Sequence, residues 1–256
     1  MPFQTNINPT NKYYFFALLM IFFITIKAYA TNQWQRLSPG IEYQRLEIGL
    51  LTPWSCVHVF RIDLSKNKLE SISAKDIGEK NASAELFTKR SQALLGMNGG
   101  FFDREYHPLG LRINNSKIEN PLKPISWWGI FHIKNNKARI SSLTNFKQGQ
   151  GIDFAIQSGP RLLIKGTVPS LKDGKDDRSA LGITQKGKVI LLVTNNVPMS
   201  TKELAYLMQT YPLYCKDAIN LDGGSSSQLY ADIHSFKLTV HGFSNVSDAI
   251  VVKPLG

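Results

Sequence analysis

AINLDGGSSSQLY, residues 218–230, joins a short apolar strand to an acid, two glycines and three serines. The glycines allow a tight turn and let backbone N–H groups come close to a ligand, while Asp222 supplies a negative charge or a base. The serine hydroxyls add further donors, so such a loop suits an oxygen-rich ligand such as a phosphate or a sugar. A plain hairpin turn is the structural alternative, because Asp-Gly is a common signal for one. The stretch alone leaves both interpretations open.

The composition is that of a globular protein with a basic surface. The 256 residues are 43% hydrophobic and 11% aromatic, and they carry a formal net charge of +11. This length and hydrophobic content predict a folded domain with a substantial core. The basic residues are scattered beside turn residues, and no compact Arg/Lys run alternates with aromatics, so nucleic acid is not an expected partner. A surface of this charge would attract anionic envelope polymers at long range.

The first thirty residues have the features of a secretory signal peptide. Lys12 precedes an apolar run over residues 13–26, which is followed by the small-residue site Ala28-Tyr29-Ala30. A spanning helix needs about 20 apolar residues, so an uncleaved anchor is the weaker alternative. We therefore expect a signal peptide over 1–30, a mature domain over 31–256, and an exported protein that is periplasmic or secreted. Contact with a membrane is expected only through this segment, if it is not cleaved.

The cysteine and histidine content indicates no zinc site. Cys56 and Cys215 are the only cysteines, and the histidines are not clustered. In an exported protein the two thiols either form one disulfide that closes a very long loop or remain buried and free. His58 lies inside an alternating strand pattern and is expected to be structural.

Periodicity predicts a single α+β domain: a twisted mixed or antiparallel sheet built largely from hairpins, with about two helices packed on it. The predicted helices cover Ala84–Ser91 and Thr201–Thr210, the second opened by the capping box Ser200-Thr201-Lys202-Glu203. The predicted strands are Tyr43–Leu50, Ser55–Asp63, Asn67–Ser73, Gln92–Met97, Trp127–Ile133, Lys137–Ser141, Phe154–Gln157, Arg161–Ile164, Arg178–Thr184, Lys188–Thr194, Ala218–Leu221 and Ser247–Lys253.

Two further loops repeat the pattern of strand, polar side chain and glycine. They are Asn98-Gly99-Gly100-Phe101-Phe102-Asp103 and Ser158-Gly159-Pro160, and Arg178 opens another strand. If these strands share a sheet, the loops gather along one rim, where a carboxylate, an amide, backbone N–H groups and a guanidinium converge. Arginine suits phosphate oxygens. Phe101 or Phe102 is expected to wall a pocket while the other packs in the core, and one of Trp127 and Trp128 is expected to line a cleft.

Several stretches resemble the phosphodiester glycosidase family, in the family's order and over nearly all of the mature chain. They are MNGGFFD (97–103), HPLGL (107–111), QSGPRLL (157–163), DRSALGI (177–183), AINLDGGSSSQLY (218–230) and DAIVV (248–252). The resemblance implies hydrolysis between the anomeric carbon of a sugar and a phosphate oxygen. A phosphate monoester leaves readily, since its conjugate acid has a pKa of about 6. Paired carboxylates of the common glycosidase type are therefore not required.

The resemblance also assigns roles to residues. Asp222 is expected to act as nucleophile, base for water or stabiliser of a cationic sugar, and Arg178 to stabilise the departing oxygens. Asn98 is expected to hold a sugar hydroxyl or a phosphate oxygen, and no cofactor is required, although a divalent metal is possible. The expected substrate-binding residues are Gly99, Gly100, Phe101, Asp103, Ser158, Gly159, Gly223, Gly224, Ser225 and Ser226.

The substrate is expected to be a glycan of the envelope or of an exopolysaccharide, or a small sugar phosphodiester. Three other functions compete with this hypothesis. A serine hydrolase is disfavoured because no G-x-S-x-G elbow is present. A non-catalytic glycan-binding protein would keep the aromatics and glycines but would need neither Asp222 nor Arg178. Metal-assisted cleavage at phosphorus would use Asp222 and Asp103 as ligands.

Overall fold

The fold is built almost entirely from antiparallel strands. The computed structural model describes residues 33–48, 55–149 and 151–255. The strands are β1 (Gln35–Ser38), β2 (Ile41–Glu47), β3 (Cys56–Ile62), β4 (Asn67–Ser73), β5 (Leu95–Asn98), β6 (Arg112–Asn114), β7 (Lys117–Asn120), β8 (Gly129–Lys134), β9 (Lys137–Ser142), β10 (Phe154–Ser158), β11 (Arg161–Leu163), β12 (Ser179–Thr184), β13 (Val189–Asn195), β14 (Cys215–Asn220), β15 (Leu229–Ile233), β16 (Phe236–Val240) and β17 (Asp248–Pro254). The helices are α1 (Ala84–Arg90) and α2 (Thr201–Gln209), with 3₁₀ turns at Ala74–Ile77 and Gly224–Ser226.

The strands form three sheets. One has seven strands in the order β1-β2-β3-β13-β12-β14-β11, and two have five, in the orders β7-β6-β10-β8-β9 and β16-β15-β5-β17-β4. The α+β class, the single domain, the two helices and the dominance of hairpins are confirmed. Where the sequence predicted a twisted sheet, the strands divide among three, because loops such as 99–111 and 221–228 carry the chain out of one sheet and into another.

The core lies between inner faces of all three sheets. Phe60, Leu191 and Ile219 of the seven-stranded sheet pack with Phe131 and Ile250 of the other two. On the seven-stranded sheet, α2 lies against the strand residue Gly182, since a Cβ there would lie 2.7 Å from Met208 Cε. Removal of this apolar surface from water is the main source of stability.

The two helices begin where their serine caps lie. Ser83 Oγ accepts the Leu86 N–H of α1 at 3.2 Å. The predicted capping box of α2 is confirmed, since the N–H of Glu203 donates to Ser200 Oγ at 3.1 Å and Glu203 Oε2 accepts the Ser200 N–H at 2.7 Å. Caps of this kind contribute about 1 kcal/mol each.

The two cysteines are buried free thiols, which is one of the two expected alternatives. Cys56 lies 3.2 Å from His58 Nε2, and the other ring nitrogen of His58 lies 2.8 Å from the Tyr43 hydroxyl. Burial lowers the pKa of His58 to about 4. His58 is therefore a neutral core residue, as predicted.

The N-terminal prediction falls outside the described structure. Residues 1–30 are not among the described residues, so their assignment as a signal peptide remains a prediction. Within the described ranges, none of the helices combines the length and the apolar character that crossing a bilayer requires.

Candidate active site

Asp222 follows β14 in a turn that the neighbouring polypeptide holds in place. Its N–H donates to the Gly99 carbonyl at 3.4 Å, and its Oδ1 accepts the N–H of Gly223 at 3.0 Å. The carboxyl is half-buried, and burial raises its pKa to about 6. Asp248 raises this pKa further, while hydrogen bonds from Ser226 and Gly223 and the charge of Arg112 lower it. Asp222 therefore changes protonation near neutral pH.

The two glycines after Asp222 are required for packing within the protein. Gly224 has φ +60°, and a Cβ there would lie 2.7 Å from the Asp176 carboxylate. Its N–H donates to the Asp177 carbonyl at 2.8 Å, and the Gly223 N–H is the one bound to Asp222. The expectation that Gly223 and Gly224 present their N–H groups to a ligand is corrected, since these donors hold the loop and its carboxyl.

The serines of the same loop differ in exposure. Ser226 is buried and donates to the Asp222 carboxyl, so its hydroxyl supports the acid. Ser225 is exposed, and its carbonyl accepts the Ser244 N–H at 3.0 Å.

Asn98 lies beside Asp222 but is wholly inside the protein. It is 0% exposed, and its Oδ1 accepts from the Ser179 hydroxyl at 2.7 Å and from the Gln228 N–H at 3.2 Å. Its Nδ2 donates to the carbonyl oxygens of Asp222 at 2.9 Å and Gly99 at 3.2 Å. The amide thus ties β5, β12 and the Asp222 turn together. This geometry assigns Asn98 to positioning the acid, in place of the direct ligand contact that was expected.

Gly99 and Gly100 pack on a buried ion pair. A Cβ on Gly99 would collide with the Asp248 carboxylate, and one on Gly100 would lie 2.7 Å from Arg112 Nη2. The Gly99 N–H donates to the Asp248 carbonyl at 3.0 Å. Close approach is the reason for these glycines, as expected, but what approaches is protein and not ligand.

The Arg112–Asp248 pair was missed by sequence reasoning. Arg112 Nε binds Asp248 Oδ2, and the side chains are 1% and 2% exposed. Arg112 Nη1 donates to the Leu111 carbonyl at 3.2 Å, whereas Nη2 has no hydrogen-bond partner among the described residues. The only sequence signal was a charged residue heading each of two apolar strands, β6 and β17.

Arg178 lies next to Gly223 in the Asp222 turn. Its Nε donates to the Met199 carbonyl at 2.8 Å, and its Nη2 donates to that of Gly174. Its Nη1 lies 3.7 Å from the position of a Cβ on Gly223. Burial lowers the pKa of Arg178, and a guanidinium remains charged in proteins.

Arg178 lines a cavity of about 590 Å³ together with Phe101, Gly159 and Asn220. Phe101 therefore walls a pocket, while Phe102 packs against the buried cluster around Phe87. Asp222 is not among the described residues that line this cavity. In the sequence it lies between Asn220, which is in the cavity wall, and Gly223, which is next to Arg178. The turn that carries the acid thus borders the cavity.

Ser158 and Gly159 form part of the same region. Ser158 is fully buried, and its hydroxyl has no hydrogen-bond partner within the described chain. A Cβ on Gly159 would lie 2.6 Å from Trp128 Cδ1, so this glycine permits contact with the buried indole. The structure therefore brings Gly159 to the cavity with Arg178 and keeps Ser158 beneath the surface.

Asp103 belongs to a different cluster. Its Oδ1 accepts the N–H groups of Glu105 at 3.0 Å and His107 at 2.8 Å. Ligand atoms of Asp103, Glu105 and His107 lie within 4.8 Å of one another, so among the described residues this group has a geometry that could hold a metal ion. Asp222 is not in that group. Glu105 and His107 line a second cavity of about 600 Å³, which also reaches Arg112 and Asp248.

The Asp222 carboxyl, with a pKa of about 6, thus lies on a turn that borders a cavity with a fixed guanidinium. A carboxylate can stabilise or attack a positive carbon, and a guanidinium can stabilise a departing anion. The chain matches the family model for phosphodiester glycosidase over residues 91–253. It is 32% identical over 165 residues to the uncharacterized protein YigE of Escherichia coli (strain K12), a match that covers 58% of this chain and 65% of that protein.

Solved structures share the fold at low sequence identity. The catalytic domain of zebrafish N-acetylglucosamine-1-phosphodiester alpha-N-acetylglucosaminidase superposes with a TM-score of 0.62 at 18% identity, covering 84% of this chain and 88% of that one. A hypothetical protein from Synechocystis gives a TM-score of 0.63 at 15% identity, over 86% of this chain and 63% of that one. The family match extends over most of the chain and contains the Asn98, Arg178 and Asp222 loops, and so this protein belongs to the phosphodiester glycosidase family.

Proposed function

We propose that this protein is an exported hydrolase that releases a sugar from a sugar-1-phosphodiester by breaking the glycosidic C–O bond. Its substrate is an envelope or extracellular glycan, or a small sugar phosphodiester. The observation that supports this most strongly is the half-buried Asp222 carboxyl, with a pKa of about 6, on the turn beside the Arg178 cavity.

Arg178 would bind the departing phosphate. Its Nε and Nη2 are fixed by the carbonyls of Met199 and Gly174, so the guanidinium plane is held before substrate arrives. A positive charge that needs no reorganisation stabilises a leaving oxyanion effectively. A phosphate monoester needs no proton to depart at neutral pH, so no second carboxylic acid is required at this position.

Asp222 would act on the anomeric carbon. Above its pKa of about 6 it is a carboxylate, able either to attack this carbon or to take a proton from the attacking water. Asn98 fixes the Asp222 carbonyl, and Gly223 and Ser226 fix the carboxyl, so the side chain is oriented by its own loop. Retention of configuration in the product would indicate the nucleophile, and inversion would indicate the base.

Metal-assisted cleavage at phosphorus is the second candidate, and the Asp103-Glu105-His107 group is the observation that favours it. The reaction we propose needs no cofactor. The two candidates break different bonds, since one cleaves carbon–oxygen and the other phosphorus–oxygen.

The test is hydrolysis in H₂¹⁸O with a panel of sugar-1-phosphodiesters that includes nucleotide sugars, with and without a chelator. We expect free sugar that carries the label, produced equally with chelator present. Label in the phosphate, or loss of activity with chelator, would support metal-assisted cleavage instead. Binding of members of the panel without release of sugar would identify a glycan-binding protein.

A further inference from the structure

Trp127 is an exposed indole at the cavity beside Arg178. Trp127 is 60% exposed. It lines the cavity together with Phe101, Pro160 and Leu171, and the cations Arg178 and Lys172 belong to the same wall. Its position at a cavity with aromatic, apolar and cationic walls indicates a use in binding.

The indole of Trp127 is held by a stack of aromatic rings. It meets Trp128 edge-on, with ring centroids 5.8 Å apart and planes at 88°. Trp128 is 5% exposed and stacks on Phe101 at 5.3 Å and 28°, while the backbone of Gly159 packs against its edge. Trp127 therefore rests on a buried support, and its outer face is available without rearrangement of the core.

Asn220 adds a polar group to the same cavity wall. Its Nδ2 donates to the carbonyl oxygens of Leu221 at 2.6 Å and Gly159 at 3.3 Å, which fixes the orientation of the amide. Its Oδ1 has no hydrogen-bond partner among the described residues, although Asn220 is only 3% exposed. A buried acceptor without a donor is costly. A ligand hydroxyl supplies the missing donor, whereas a phosphate oxygen would be repelled.

These features separate two chemistries within one cavity. An aromatic face matches the C–H surface of a pyranose ring, an acceptor matches a ring hydroxyl, and the guanidinium and ammonium match a phosphate. We propose that Trp127 is the platform on which the sugar ring of the substrate stacks, with Asn220 accepting from one of its hydroxyls. This assignment rests on the proposed function and makes Trp127 a residue that determines selection for the sugar, not for the group on the other side of the phosphate.

The test uses the Trp127→Ala and Trp127→Phe variants with two substrates that share a sugar. One is the methyl diester of the sugar 1-phosphate, and the other is the corresponding nucleotide sugar. For the alanine variant we expect a rise in KM of about ten- to a hundredfold with both substrates, the scale of one lost aromatic stack, with kcat within about threefold. The phenylalanine variant should recover most of the affinity. Phe243→Ala is the matched control, since Phe243 is an 89% exposed aromatic that does not line this cavity.

Binding of the free sugar and of the intact methyl diester, measured by calorimetry on the same variants, separates this inference from the proposed function. A weaker affinity in Trp127→Ala supports the platform even if no substrate is hydrolysed. Hydrolysis by the wild type with unchanged KM in Trp127→Ala would overturn the platform and leave the proposed function standing. A loss confined to the nucleotide sugar would also overturn it, because Trp127 would then contact the nucleotide. Unfolding midpoints should be unchanged, since the side chain is exposed.

Discussion

Asp222-Gly223-Gly224 and Asn98-Gly99-Gly100 are two loops with the same sequence pattern and opposite surroundings. Each follows an apolar strand, and they are joined by hydrogen bonds from the Asp222 N–H to Gly99 and from Asn98 Nδ2 to the Asp222 carbonyl. Asn98 is fully buried, with both ends of its amide bound to protein. The Asp222 carboxyl is half-buried, with a pKa raised to about 6.

The difference shows how one pattern serves two purposes in one site. In both loops the glycines allow close approach, but in the structure they approach Asp248 and Arg112 on one side and Asp176 and Asp177 on the other. The amide satisfies two donors and two acceptors of the protein, as a rigid connector requires. The carboxylate accepts few hydrogen bonds, so burial raises its pKa and leaves it reactive. Asn98 is thus the connector of the site, and Asp222 is its acid.

The largest effect on stability is expected at the ion pair beneath Gly99 and Gly100. Asp248→Ala leaves the buried Arg112 charge unpaired, so the free energy of unfolding should fall by about 3–5 kcal/mol in denaturant titrations. Lys175→Gln is the control, because its pair with Glu203 is exposed and should contribute less than about 1 kcal/mol. Equal effects of the two variants would contradict a supporting role for the Arg112–Asp248 pair beneath Gly99 and Gly100.

The next effect is expected at the connector itself. Asn98→Ala leaves the buried Ser179 hydroxyl and the Gln228 N–H without their acceptor, at about 1–3 kcal/mol for each unsatisfied group. We expect a loss of about 2–4 kcal/mol in the free energy of unfolding together with a lower kcat, since the Asp222 carbonyl is also released. If stability is unchanged and only KM rises, Asn98 is a substrate ligand, as the sequence first indicated.

A smaller effect is expected in the pH dependence of stability. The pKa of Asp222 is about 6 in the folded protein, whereas the ordinary value for an aspartate is 3.8, so the folded state binds the proton more tightly than the unfolded state does. The stability of the wild type relative to Asp222→Asn should therefore be highest below pH 4 and should fall as the pH rises through 6. The total change is at most about 3 kcal/mol, since one unit of pKa corresponds to about 1.4 kcal/mol. A difference between the two proteins that rises with pH would show that the carboxyl is stabilised as an anion.

Sequence patterns predicted the elements well because they follow local rules. The apolar run of β13 reports burial directly, and the Ser200 capping box depends on residues three apart in the chain. The alternation in β3 located the strand but not its burial, since both of its faces are covered. The three-sheet arrangement could not be predicted this way. It depends on which strands pair after long connections, such as β17 with both β4 and β5.

The site was predicted in part for the same reason. The Asp222, Asn98, Gly159 and Arg178 loops were located because polar residues and glycines end apolar strands. The acceptors of their N–H groups were not predicted, because these acceptors lie far away in the chain. The Gly224 N–H donates to the Asp177 carbonyl, and the Gly99 N–H donates to the Asp248 carbonyl. The only signal from Arg112 was its place at the head of β6, which did not indicate a partner, since its role depends on an acid 136 positions later. The sequence therefore located the polar loops, but it could not tell which of their groups bind protein and which are left to face a ligand.

The most direct measurement is sugar release from a sugar-1-phosphodiester by Asp222→Asn and by the wild type, at equal concentrations of folded protein. The substitution keeps the size of the side chain, so the unfolding midpoint at pH 7 should be equal to or above that of the wild type. We expect kcat to fall by about 10³- to 10⁴-fold, as for the loss of a group that takes part in the chemical step. A variant that releases sugar at a rate close to that of the wild type would contradict the assignment of Asp222 as the reacting acid.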